Sequence, residues 1–161
     1  MNLQTFTKGL QLSVRAAVGA GLSLALAQLL NLEYPIYAFI AAVIVTDLSP
    51  SQTSHFGLRR LVATVVGATC GAALSPVLPP EAWAIGVGIL IAMLACNLIN
   101  VQEGAKVAGY ICGIVLLAHH SEPWSYASYR FVETILGVVA AVLISLVPKL
   151  IRAVESERQG P

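Results

Sequence analysis

Apolar residues along this chain fall in long runs broken by short polar stretches. No stretch of about ten residues alternates cleanly between apolar and polar, so the pattern predicts helices, not the strands of a barrel. Six runs stand out, at about 12–31, 35–48, 60–77, 82–99, 104–118 and 130–147. The second and fifth are short: roughly 13 to 15 residues make about 20 Å of helix against a hydrocarbon core near 30 Å. Polar punctuation separates the runs. Glu33-Tyr34-Pro35 makes a turn, Thr46-Asp47-Leu48-Ser49-Pro50-Ser51-Gln52-Thr53-Ser54 reads as helix-breaking, and Pro76, Pro79 and Pro80 end the third run. His119-His120-Ser121-Glu122-Pro123-Trp124 breaks the chain before the sixth run, which Pro148 stops.

Composition turns these helices into membrane spans. Over 161 residues, 57% are hydrophobic and 11% charged, where a soluble domain carries roughly a quarter charged residues. The first run is as long as a full span and is followed by others, so it is expected to be a retained helix and not a cleaved leader. With the N-terminus inside, Lys8, Arg15, Arg59, Arg60, Lys106, Lys149, Arg152 and Arg158 all fall on the cytoplasmic side, and Arg130 alone falls outside. This bias predicts six spans in the cell membrane with both termini cytoplasmic. A net charge of +1 without a basic cluster beyond Arg59-Arg60 argues against a nucleic-acid partner. Cys70, Cys96 and Cys112 lie inside apolar runs without metal-ligand spacing and read as small packing residues.

The chain also echoes itself. Arg60, Val62, Thr64 and Gly67 are matched seventy positions later by Arg130, Val132, Thr134 and Gly137, and Gln28-Leu-Leu-Asn31 by Asn97-Leu-Ile-Asn100 at an offset of sixty-nine. The repeats run from about 12 to 78 and from about 82 to 148. Three spans per repeat is an odd number, so the fold class expected is an all-α integral membrane protein of six transmembrane helices built as two inverted three-helix repeats. The short spans two and five, each followed by a polar break and an arginine, mark a substrate path, with Arg60 at its inner end and Arg130 at its outer end. The alternative is a duplication kept for packing, with both arginines reaching lipid phosphates.

The run Tyr34-Pro35…Val43-Ile-Val-Thr46-Asp47-Leu-Ser-Pro50…Arg59-Arg60…Thr64…Gly67, with Trp124…Arg130-Phe-Val-Glu133-Thr134-Ile-Leu-Gly137, resembles the membrane module of the fusaric acid resistance (FUSC) or aromatic acid exporter family. It is more distantly similar to the plant aluminium-activated malate transporters. The resemblance implies a module that moves organic anions, such as aromatic carboxylates, out across the cell membrane. It also implies a large cytoplasmic domain, which these 161 residues do not contain, and a neutral residue where Asp47 stands.

Candidate residues follow from that chemistry. Arginine stays protonated and forms a paired fork with carboxylate oxygens, which singles out Arg60 and Arg130. Lys106 could hand an anion onward, or pair with Glu103 three residues away. Thr64 and Thr134 share a face with the arginines and could touch a substrate or bond back to their own helix. Asp47 and Glu133 are candidates for proton coupling; Asp47 could equally cap a helix or pair with Arg59. Arg15 reads as a membrane anchor. Gly67, Gly71, Gly109, Gly113 and Gly137 provide small faces for helix packing and are expected to join copies in a homo-oligomer, a dimer first. His119, His120 and Glu122 read as a wet loop with no metal, and no cofactor is expected. The leading function is export of organic anions through the lipid bilayer; the alternative is a small structural subunit that acts only with a companion protein. No enzyme motif is present.

Overall fold

The computed structural model describes residues 3–119 and 121–147; His120, Pro148 and the basic Lys149, Arg152 and Arg158 lie outside the described residues. Among these, six α-helices are found, with no strand: α1 (Leu3–Leu29), α2 (Ile36–Val45), α3 (Pro50–Leu74), α4 (Ala82–Leu98), α5 (Ala105–Ala118) and α6 (Pro123–Ser145). A 3-10 turn, Gln102–Gly104, leads into α5. Three helices, α1, α3 and α6, are long and apolar enough to cross a membrane, and α2 and α4 are shorter apolar helices.

Local chemistry sets the helix ends. Asn31 and Asn100 have φ of 50° and 60°, the left-handed conformation that asparagine tolerates. At α1, Asn31 N–H donates to Gln28 O and Leu32 N–H to Ala27 O; at α4, Asn100 N–H donates to Asn97 O and Val101 N–H to Cys96 O. The sixty-nine-residue echo is therefore the same left-handed stop signal used twice.

The stretch from Ser49 to Ser54, expected to break helix, instead starts one. Pro50 takes the first helical position, where its missing N–H costs nothing. Asp47 Oδ1 accepts from Ser49 N–H at 3.0 Å, and Asp47 N–H donates to Thr53 Oγ1 at 3.0 Å. Helix α6 likewise begins at Pro123, seven residues before the expected Arg130. The polar first turns hide both helix starts from a hydropathy reading.

The chain divides into two compact units. One comprises the residues up to Gly57 and from Glu133 on, and holds α1, α2, the first turns of α3 and most of α6. Gly137 lies directly on the Ala38 carbonyl oxygen of α2, and a Cβ there would stand 2.7 Å from Ala41 Cβ. Ala38, Ala41 and Ala42 are buried at this contact, so small side chains let the helix backbones approach.

The other unit, Leu58–Val132, holds the rest of α3, then α4, α5 and the first turns of α6. Gly67 lies on the Ala108 carbonyl oxygen of α5, and a Cβ on Gly71 would stand 2.7 Å from Val115 Cβ. Ala108 is seventy residues beyond Ala38, as Gly137 is beyond Gly67, so one contact type recurs in both units. Gly109 and Gly113 face Met93 and Ile89 of α4. The core of this unit gathers Ala63, Ala92, Cys96, Ala108, Cys112 and Leu116. The expectation that these glycines join two copies of the chain is corrected: Gly67, Gly71, Gly109, Gly113 and Gly137 are occupied by helices of the same chain.

Candidate anion site

Arg60 lies seven residues before Gly67 on α3, two helical turns along the same face. Close approach of α3 to α5 at Gly67 brings that face against the helix carrying Tyr110. Arg60 is 4% exposed, and its Nη2 donates to Tyr110 Oη at 2.9 Å. Its Nε and Nη1 are buried without a hydrogen-bond partner, and among the described residues no carboxylate pairs with it. Thr64, fully buried, donates its hydroxyl to Arg60 O at 2.9 Å, the bond back to its own helix.

Arg130, 1% exposed, stands over two rings: its Cζ is 5.9 Å from the Tyr110 centroid and 6.0 Å from that of Tyr126. Both distances fall within cation–π range. The buried Tyr126 stacks on His119 at 3.8 Å with 12° between the planes. His119, Tyr126, Arg130, Tyr110 and Arg60 thus form a continuous aromatic and cationic row within one unit.

This arrangement differs from expectation in three ways. The two arginines do not mark opposite ends of a path; they share one tyrosine. The reason is where the helices begin, since Arg60 is ten residues past Pro50 and Arg130 seven past Pro123, about 15 Å and about 10 Å along their helices. Burial also removes the alternative in which both guanidinium groups reach lipid phosphates. Third, the neighbour Arg59 pairs with Glu103 at 2.8 Å on the surface, so Glu103 serves Arg59 and not Lys106, which is exposed at the start of α5.

The remaining candidates belong to the first unit. Arg15 is no interfacial anchor: it is 1% exposed, and its Nη1 donates to Leu48 O at 2.6 Å, tying α1 to the α2–α3 connection. Asp47 accepts from Ser49 N–H in the turn that leads into α3. Glu133 is fully buried, and its Oε1 accepts from Tyr34 N–H at 2.8 Å, ninety-nine positions away, at the turn that leads into α2. Thr134 is buried beside it in sequence. Tyr110 was visible in the sequence only as a filler between Gly109 and Gly113; nothing local distinguishes it, because its partner lies fifty positions upstream.

The family described as aromatic acid exporter family member 1 matches residues 9–147. A UPF0421 protein of Staphylococcus haemolyticus is 26% identical over 127 residues, which cover 75% of this chain and 38% of that protein. Another, from Staphylococcus epidermidis, is 26% identical over 136 residues, covering 80% and 40%. One from Staphylococcus saprophyticus is 25% identical over 131 residues, covering 79% and 40%. The chain therefore spans less than half the length of these relatives. No solved structure matches it. With most of its length matched by the family, and with long apolar helices carrying buried arginines, the chain belongs to the aromatic acid exporter family.

Proposed function

We propose that this chain is a membrane transport module that exports organic anions, aromatic carboxylates first among them, across the cell membrane. The observation that carries the reading is Arg60. A guanidinium buried in an apolar helix bundle with one neutral partner and two donor nitrogens unused is costly to keep, and an anion is the group that repays that cost. Six crossings as two inverted repeats, with both termini cytoplasmic, belong to the same reading, supported by the recurrent asparagine stops and glycine–carbonyl contacts. A homodimer also belongs to it, with a contact surface outside the glycine faces. Asp47 and Glu133 each hold a backbone N–H, so in this reading they order helix ends.

The test is flux of benzoate or malate from liposomes that contain only this chain. Anion release above protein-free liposomes is expected. Verified, folded protein that releases no anion, with no accompanying pH change in the lumen, contradicts a self-sufficient transporter and favours the subunit that needs a companion protein.

A further inference from the structure

Arg60 and Tyr110 have a joint property that neither has alone. A guanidinium has donors and no acceptor, so in the 2.9 Å contact Arg60 donates and Tyr110 Oη accepts. The tyrosine's own O–H proton is thereby directed elsewhere, and among the described residues no acceptor takes it. On the arginine, Nε and Nη1 are likewise without an acceptor. The Tyr110 hydroxyl therefore lies 2.9 Å from Nη2 of the same guanidinium whose Nε and Nη1 lack acceptors, so two adjacent side chains present unused donors.

We propose that Arg60 and Tyr110 together form a carboxylate-selective anion site, in which the Tyr110 hydroxyl binds one carboxylate oxygen and Arg60 N–H groups bind the other. This rests on the transport reading above and adds to it a second ligand-contacting residue and a basis for selectivity. Donors spread over two side chains suit an acceptor with two oxygens; a halide is one sphere and uses only part of the set. Two arginines beside Tyr110 polarise its O–H and make it a stronger donor. Arg130 lies over the Tyr110 ring with its Cζ 5.9 Å from the centroid, within cation–π range, and so helps to hold the ring that carries the hydroxyl. Tyr110 is also 36% exposed while Arg60 is 4% exposed, so the tyrosine is the reachable edge of the pair.

The experiment is calorimetric titration of the full chain in nanodiscs with sodium benzoate and, separately, sodium chloride. Wild type is expected to prefer benzoate. Tyr110→Phe, which keeps the ring under Arg130, should weaken benzoate about tenfold, the worth of a hydrogen bond to a charged group, and leave chloride within about twofold. Arg60→Lys keeps the charge without the fork, and should also bring the benzoate-to-chloride ratio towards one; it carries the test if the phenylalanine variant does not fold. Equal weakening of both anions in Tyr110→Phe would assign the tyrosine a structural role and overturn the proposal. Tighter benzoate binding would overturn it too, since Tyr110 would then be a competitor for Arg60. A wild type that binds neither anion, or both alike, also refutes it. The two readings fail separately: benzoate binding without liposome flux sinks transport and leaves the site, whereas flux with selectivity unchanged in Tyr110→Phe sinks the site and leaves transport.

Discussion

Replacing Arg60 with methionine should make the protein more stable while removing the proposed anion site. The side chain is almost fully buried, and its Nε and Nη1 have no acceptor. Each buried, unsatisfied donor atom costs about 1–3 kcal/mol, so the two together cost on the order of 2–6 kcal/mol. The single bond to Tyr110, lost in the variant, returns about 1.5–3 kcal/mol at the value of a charged donor. Methionine fills a similar length and adapts to irregular space, so packing changes little. The centres of these two ranges differ by about 2 kcal/mol in favour of the variant, and at roughly 2–4 °C per kcal/mol for a chain of this size the melting midpoint should rise by several degrees. The assay is thermal unfolding in mild detergent, without and with benzoate. Benzoate should raise the wild-type midpoint and leave Arg60→Met unmoved. A variant that melts below wild type in anion-free buffer would mean that the guanidinium is already satisfied by the protein, contrary to its unpaired Nε and Nη1.

Gly67→Ala and Gly137→Ala should each destabilise by about 1–2 kcal/mol, since overpacking against a backbone carbonyl outweighs the better helix propensity of alanine. Gly86→Ala, where a Cβ meets nothing within 4 Å, should instead stabilise by about 0.5–1 kcal/mol; the three midpoints compared in one detergent decide it. Glu103→Gln removes only a surface pair and should shift stability by less than about 1 kcal/mol, with benzoate flux unchanged in liposomes. Glu133→Gln keeps an acceptor for Tyr34 N–H and should retain flux, whereas Glu133→Leu leaves that donor unmet and should cost about 1–3 kcal/mol in an unfolding titration.

Features that depend on local pattern were legible in the sequence. The apolar runs at 82–99 and 104–118 correspond closely to α4 and α5, and the echo of Gln28–Asn31 in Asn97–Asn100 corresponds to two matched helix stops. The small residues Gly67 and Gly137 are where helices meet, although the sequence could not say that the partner helix lies in the same chain. Helix starts were hidden because Pro50, Ser51, Gln52 and Thr53 are polar, and the bonds among Asp47, Ser49 and Thr53 that begin α3 leave no trace in hydropathy. Partners far apart in sequence were hidden for a different reason. Tyr110 meets Arg60 over fifty positions, Glu133 meets Tyr34 over ninety-nine, and Arg15 meets Leu48 over thirty-three. Each depends on which helix faces pack, and the repeat alone does not specify that.

In the transport reading the buried arginine, and not its exposed neighbour, handles the anion. Benzoate flux in liposomes, measured side by side for Arg60→Gln and Arg59→Gln, tests it most directly. Arg60→Gln should lose flux while remaining folded, and Arg59→Gln, which gives up only the surface pair with Glu103, should transport as wild type does. Undiminished flux in Arg60→Gln, or equal losses in the two variants, would contradict the account.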